Sequence, residues 1–419
     1  MFNLISDRCT FICNRNDSPC YDSIGASVAC CALGLVPENQ IFLGLADSTV
    51  VLFGGMFVVG AAMFYTGLAQ KIGGGVVRMF GKGENSLMFG IMIIAALMSA
   101  VLSNTGTTAC LIPVVMGICA NAKISASREL MPLAFAAGLG GTITLIGTPP
   151  NILANVALKA AGMPELQFGF FEYAWIGIPI TIAGIVYMMF IGKYLLPKDS
   201  GTLNLEIDEE ILENETSTQK QIICGIIMVG VIGSMATGIV PLEIAAVVGA
   251  VIAVLTGCLT EKQAYNSIDW VTIFLFAGMI PVATAMNTSG AGKLIAEATV
   301  KMLGGDPSPY MVTAVLFGLA VVLTQFMSNT ASKALLCPVG IALSAQMGAS
   351  PKAVLMAILI ASSCAFASPV GTPPNTLVLG PGGYKFMDYL KAGTGLVAVC
   401  LIVSIIVIPI VWPFFPVSA

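Results

Sequence analysis

The stretch QFMSNTASKALLCP, Gln325 to Pro338, sets Ser328, Asn329, Thr330 and then Lys333 into a chain that is otherwise apolar almost from end to end. The same Ser-Asn-Thr occurs at Ser103, Asn104 and Thr105, and a second motif, Gly-Thr-Pro-Pro-Asn, stands at Gly147 to Asn151 and again at Gly371 to Asn375. The chemistry these residues suit is ion binding. Hydroxyl and carboxamide oxygens are hard, neutral ligands for a small cation such as Na⁺, while the exposed N–H groups of a helix start favour an anion. Proline removes a backbone donor and glycine tolerates unusual dihedrals, so each Gly-Thr-Pro-Pro interrupts a helix; each Ser-Asn-Thr supplies the side chains that cap one. Ser99 and Thr324 lie one turn before Ser103 and Ser328, which turns their hydroxyls to the same cavity.

These residues need elements to hold them, and composition says which. Of 419 residues 57% are hydrophobic and 10% charged, with a mean hydropathy of +0.93. That composition, with several apolar runs near the roughly 20 residues that span a bilayer as a helix, predicts an all-α polytopic membrane protein rather than a barrel of short alternating strands. There is no histidine, which removes His-based proton relays, nucleophile triads and the commonest metal ligand. Most of the twelve cysteines sit singly in apolar runs, and Cys9, Cys13 and Cys20 form no metal or redox motif. The expectation is therefore not an enzyme, with no cofactor, and with a small anionic substrate, Na⁺ as coupling ion and the lipid bilayer as partners rather than nucleic acid. The amino-terminal segment lacks the long apolar core of a signal peptide.

Reading the chain against itself gives its plan. Pro37 to Met63 aligns with Thr260 to Met286, the Ser-Asn-Thr motifs recur at a shift of 225 and Gly-Thr-Pro-Pro-Asn at a shift of 224. The last helices open alike, FFEYAWIG from Phe170 and FMDYLKAG from Phe386. The expected divisions are a polar segment over 1–22; a first repeat over 23–196, with a hairpin at about 86–121 and a broken helix at about 130–160; an acidic cytoplasmic linker over 197–219; and a second repeat over 220–419, with a hairpin at about 310–347 and a broken helix at about 352–380. In an interior without water an interrupted helix survives only where it is buried in protein or lines a cavity, and matched interruptions in two halves mark a secondary transporter's binding site.

With the amino terminus inside and crossings at about Ser23 to Val36 and Ser48 to Tyr65, thirteen Lys and Arg fall on the cytoplasmic side and four, Lys159, Lys293, Lys301 and Lys352, outside. The two Ser-Asn-Thr hairpins then enter from opposite faces, so the repeats are inverted. The second half opens with an extra apolar helix, Gln221 to Val240, whose counterpart would fall before Tyr21; the first repeat is expected to lack amino-terminal helices.

At the duplicated motifs the chain, from about Tyr21 to its end, strongly resembles the divalent anion/sodium symporter family within the ion transporter superfamily. The resemblance implies a homodimer in a bacterial inner or plasma membrane, whose scaffold stays fixed while hairpins and broken helices move as an elevator, carrying dicarboxylate, citrate or sulfate, usually with Na⁺. It also implies site residues. One sodium site would use Ser99, Ser103, Asn104 and backbone around Gly147; the other would use Thr324, the Met327 backbone, Asn329 and backbone around Gly371. Substrate oxygens would meet Asn104, Thr105 and Thr148 from one half, and Ser328, Asn329, Thr330, Thr372 and Pro373 from the other. Family members normally carry further helices before the point where this chain begins.

Lys333 stands where the first repeat has Thr108. A lysine at that depth reads as a functional residue: a fixed cation in place of the second Na⁺, a counter-ion for a substrate carboxylate, or a side chain that reaches a vestibule or a helix carbonyl. Readings that compete with the symporter are a sodium-independent anion exchanger, a cation/proton antiporter or arsenite exporter of the same superfamily, an intramembrane enzyme and a transport-incompetent remnant. The antiporter would want buried acids in the broken-helix segments, which carry none, and the enzyme lacks a nucleophile or metal cluster.

Overall fold

The computed structural model describes residues 19–79, 83–197, 217–290, 294 and 308–414. The polar segment up to residue 18 and most of the acidic linker, 198–216, lie outside the described residues.

Every regular element among the described residues is helical, as an apolar chain that must bond its own backbone requires. The first half runs α1 (Pro19–Ala32), α2 (Ser48–Tyr65), α3 (Leu68–Met79), the hairpin α4 (Glu84–Ser99) and α5 (Asn104–Ala122), then α6 (Leu130–Gly140). A loop and a 3-10 turn (Pro149–Ile152) separate α6 from α7 (Leu153–Ala160), and α8 (Ala174–Tyr187) runs on through a π turn over Met188–Gly192. The second half runs α9 (Thr218–Thr237), α10 (Leu242–Leu255), α11 (Glu261–Ser267), α12 (Trp270–Thr288), the hairpin α13 (Pro309–Phe326) and α14 (Asn329–Gln346), the broken pair α15 (Pro351–Ser363) and α16 (Pro373–Leu379), and α17 (Phe386–Val411).

Four stretches, Glu38–Tyr65, Asn104–Ala122, Thr218–Thr237 and Phe386–Val411, are long and apolar enough to cross a bilayer, and α11 with the start of α12 forms a further span bent by 54°. Apolar side chains such as Ile182, Ile226, Val229 and Ile402 stand exposed on helix exteriors, the arrangement that lipid rewards and water does not. The first helix stands a few residues before the crossing expected at Ser23 to Val36. The helix begins at Pro19 and stops at Ala32 because Gly34 takes φ +72 and the Gly34 and Leu35 N–H groups bond back to Cys31 and Cys30, the glycine-terminated close of a helix. Gly238, φ +67, likewise ends α9 before the apolar run is over.

The two halves interlock. Within each half the first hairpin arm packs on the helix before the break, α4 on α6 and α13 on α15. Between halves the second arm packs on the short helix after the partner's break, α5 on α16 and α14 on α7, while α8 lies along α17. At one end Lys352 Nζ bridges both oxygens of Glu172 at 2.8 and 3.1 Å, and Trp412 Nε1 donates to Glu172 at 2.8 Å, so one carboxylate joins α8, α15 and the end of α17. Burial pushes the Glu172 carboxyl up, but these hydrogen bonds, that of the Gly169 N–H and the Lys352 charge outweigh it and hold the group below its ordinary value of 4.5.

Two predictions follow from this packing. A Cβ on Gly177 of α8 would fall on the Thr142 carbonyl oxygen, and one on Gly393 of α17 on that of Phe366; neither backbone segment can yield. Gly177→Ala or Gly393→Ala is expected to cost about 1–3 kcal/mol, read as a lowered thermal unfolding temperature in detergent, whereas Gly230→Ala, with nothing within 4 Å, leaves it unchanged. A depressed folded-state pKa stabilises above the unfolded value and ceases to do so as pH falls through the folded one. The unfolding-temperature difference between wild type and Glu172→Gln is therefore expected to be full at neutral pH and to shrink below about pH 4.5.

Candidate functional site

Four helix starts meet at one cavity of about 520 Å³. Its wall is built from Ser103, Asn104, Thr105 and Gly106 at the start of α5, Thr148 to Pro150 at the 3-10 turn, Ser328 to Thr330 at the start of α14, and Gly371 to Pro374 at the start of α16. Phe57 of α2, with Ser267, Asp269, Val271, Thr272 and Leu275 of the bent α11–α12 pair, closes the other side. A smaller cavity of about 350 Å³ adjoins it and shares Phe57, Ser103, Pro149 and Ser267.

Each start is made by its own motif. Ser103 Oγ accepts from the Gly106 N–H at 3.1 Å, and Ser328 Oγ from the Ala331 N–H at 3.2 Å, so both serines are engaged as caps. Thr148 and Thr372 are extended and are followed at once by prolines, which begin a helix without needing a donor partner. Helix starts concentrate N–H groups and partial positive charge, so this wall favours an anion although no cationic side chain among the described residues lines it.

Behind the wall are two all-oxygen clusters. The Asn104 carboxamide is 2.7 Å from Ser99 Oγ, 3.1 Å from the Gly147 carbonyl and 3.3 Å from that of Ala137. The Asn329 carboxamide is 2.7 Å from Thr324 Oγ1, 3.0 Å from the Ser362 carbonyl and 3.3 Å from that of Gly371. With the amide nitrogen turned inward, each group donates to these oxygens and the cluster is satisfied without a cation. With the oxygen turned inward, the Ser99 or Thr324 hydroxyl is the one donor, to the carboxamide oxygen at 2.7 Å, and the backbone carbonyls stand as acceptors without a donor, oxygens of the kind a small hard cation takes. The orientation is assigned by hydrogen bonding, and the same choice exists in both halves.

The structure thus brings Ser103, Asn104, Thr105, Thr148, Ser328, Asn329, Thr330, Gly371, Thr372 and Pro373 to the cavity and sets Ser99, Gly147 and Thr324 directly behind it. Met327 closes α13 at the break, its N–H bonded to Leu323, and stands outside both the cavity wall and the carboxamide clusters. Lys333 is fully buried and does not line the cavity. Its Nζ donates to Asn151 Oδ1 at 2.9 Å and Ser363 Oγ at 2.8 Å, joining α14 to the break of the other half.

Several supporting groups escaped the sequence reading. Asn151 Nδ2 donates to the Gly141 and Thr144 carbonyls, both at 3.0 Å, and Asn375 Nδ2 to those of Ala365 and Ser368 at 2.8 and 2.9 Å. Tyr173 and Tyr389 donate to the Asn151 and Asn375 carbonyls, each at 2.7 Å. The signal was present: both asparagines end the duplicated motif, and both tyrosines stand fourth in the matched openings of the last helices. Ala137 and Ser362 contribute only backbone, which no side-chain pattern marks.

The matches to known proteins agree with this geometry. Residues 22–336 match the citrate transporter family. An uncharacterized transporter of Haemophilus influenzae is 32% identical over 391 residues, covering 89% of this chain and 83% of that protein. A sodium-dependent dicarboxylate transporter of Staphylococcus aureus, SdcS, is 26% identical over 90% of this chain and 79% of its own. The fold is shared with the Alcanivorax borkumensis YdaH transporter, TM-score 0.64 at 18% identity over 88% of this chain and 86% of that one. It is shared also with Neisseria gonorrhoeae MtrF, TM-score 0.60 at 13% identity over 92% and 84%. The chain is an integral, multi-pass membrane protein and belongs to the citrate transporter family, among carriers of the divalent anion/sodium symporter type.

Proposed function

We propose that the protein is a sodium-coupled symporter for small divalent anions, a di- or tricarboxylate or sulfate. The observation that carries this reading is the cavity at which four helix starts from both halves meet, with an oxygen-rich cluster behind each Ser-Asn-Thr motif. In this reading Na⁺ binds the oxygens of Ser99, Asn104, Gly147 and Ala137 in one half and of Thr324, Asn329, Ser362 and Gly371 in the other, and the capping serines hold the helix starts in register. Two bound cations raise the potential of the cavity, and the anion then meets Asn104, Thr105 and Thr148 from one side and Ser328, Asn329, Thr330, Thr372 and Pro373 from the other. The sodium dependence named for the Staphylococcus aureus relative supports the coupling ion. The hairpins and broken helices would move together against a dimeric scaffold, because the second arm of each hairpin packs on the other half's short helix.

A sodium-independent exchanger is the second reading, and Lys333 favours it. The side chain brings an amine beneath the first-half break, where Asn151 orders the Gly141 and Thr144 carbonyls. When protonated, that amine would supply part of what a bound cation supplies.

Two measurements test these readings. Purified protein in liposomes is expected to accumulate labelled succinate under an inward sodium gradient and to lose that accumulation with potassium in its place; uptake that ignores sodium and needs succinate inside selects the exchanger. Lys333→Thr, which installs the first repeat's own residue, is expected to steepen the sodium dependence of uptake, and an unchanged sodium dependence would remove Lys333 from the coupling.

A further inference from the structure

Among the described residues the cavity wall holds one charged side chain, and for an anion site it carries the wrong sign. That residue is Asp269, exposed, at the bend between α11 and α12 and across the cavity from the Ser-Asn-Thr and Gly-Thr-Pro-Pro starts. Its carboxylate accepts from the Thr272 N–H at 3.2 Å and from Thr272 Oγ1 at 2.5 Å, which makes it the cap of α12, a further helix that begins at this cavity. The comparable acid at the start of α2, Asp47, is tied to Lys159 at 2.7 Å; among the described residues the Asp269 carboxylate bonds only its own helix start. Serine and asparagine cap as well as aspartate does, so capping alone does not require a charge in this position.

We infer that Asp269 is a specificity-determining residue that sets the charge of the anion the cavity accepts, favouring two negative charges over three. The inference rests on the anion-carrier reading above. Coulomb repulsion from a fixed carboxylate grows in proportion to the charge on the ligand, so each added carboxylate on the substrate is penalised by a further increment that the acid-free cavity would not impose. The wall formed by helix starts therefore attracts anions as a class, and Asp269 grades them by charge. Since the residue caps α12 rather than a hairpin or broken helix, the grading is exerted from the side opposite the proposed cation sites.

The experiment is uptake of labelled succinate and labelled citrate at pH 8 into liposomes holding the full chain, with wild type compared with Asp269→Asn and Asp269→Glu. Asparagine keeps the cap and removes the charge. It is expected to lower KM about fivefold for succinate and about tenfold for citrate, the logarithms standing near two to three as the ligand charges do. Asp269→Glu, which keeps the charge, is expected to keep the wild-type preference. Asp269→Ser, another capping residue, takes the place of asparagine should that variant not fold. An equal shift for both anions, no shift in either, or a KM that rises would overturn the inference; a rise would put a bound cation at that carboxylate instead. Wild-type protein that transports neither anion nor sulfate would overturn the carrier reading itself, and one that transports sulfate alone would overturn the inference.

Discussion

A helix that stops inside an apolar domain leaves N–H and C=O groups that no water can satisfy, and the rest of this structure is arranged around that constraint. The breaks at residues 141–148 and 365–372 survive because one carboxamide is inserted into each. Asn151 binds two carbonyls of the first break and Asn375 two of the second, and a tyrosine from the following long helix holds the backbone of each asparagine. Once the broken ends are held in this way, the remaining carbonyls, Gly147 and Gly371, are left pointing at the Asn104 and Asn329 carboxamides. The site is thus the residue of a hydrogen-bonding problem that the fold solves only in part.

The same constraint explains why the halves interlock. A short helix after a break cannot bury itself on its own half, because the loop that frees its start also separates it from the helix before. Each is instead covered by the second hairpin arm of the other half, α16 by α5 and α7 by α14. Lys333 tightens one of these two contacts with a hydrogen bond to Asn151, and Thr108, at the matching place, bonds the Asn104 carbonyl on its own helix instead. The pseudo-symmetry is therefore close in backbone and broken in charge, which gives the two halves different electrostatics at equivalent positions.

Glycine serves the same end at the backs of the breaks. Gly177 and Gly393 let α8 and α17 approach the loop backbone more closely than any side chain allows, and both follow the tyrosine that reaches the asparagine by four residues. One turn of each long helix therefore supplies both the donor and the close contact that fix a break in place.

Hydropathy and the absence of histidine determined the class, since a chain this apolar has only helices available to it in a membrane and few chemistries left. The repeats determined where the site would be, because proline, glycine and capping residues act through their own backbone and so leave a local mark. Helix ends were less legible: α1 closes at Gly34, where a positive φ ends the helix before the apolar run does. What only the tertiary structure decided concerns partners distant in sequence. The Ala137 and Ser362 carbonyls, the Lys333 bond to Asn151 across 182 residues and the position of Asp269 facing the motifs all depend on how separate helices dock. A motif reports the conformation of its own few residues; which oxygen or charge it then faces is set by packing, and packing is a property of the whole chain.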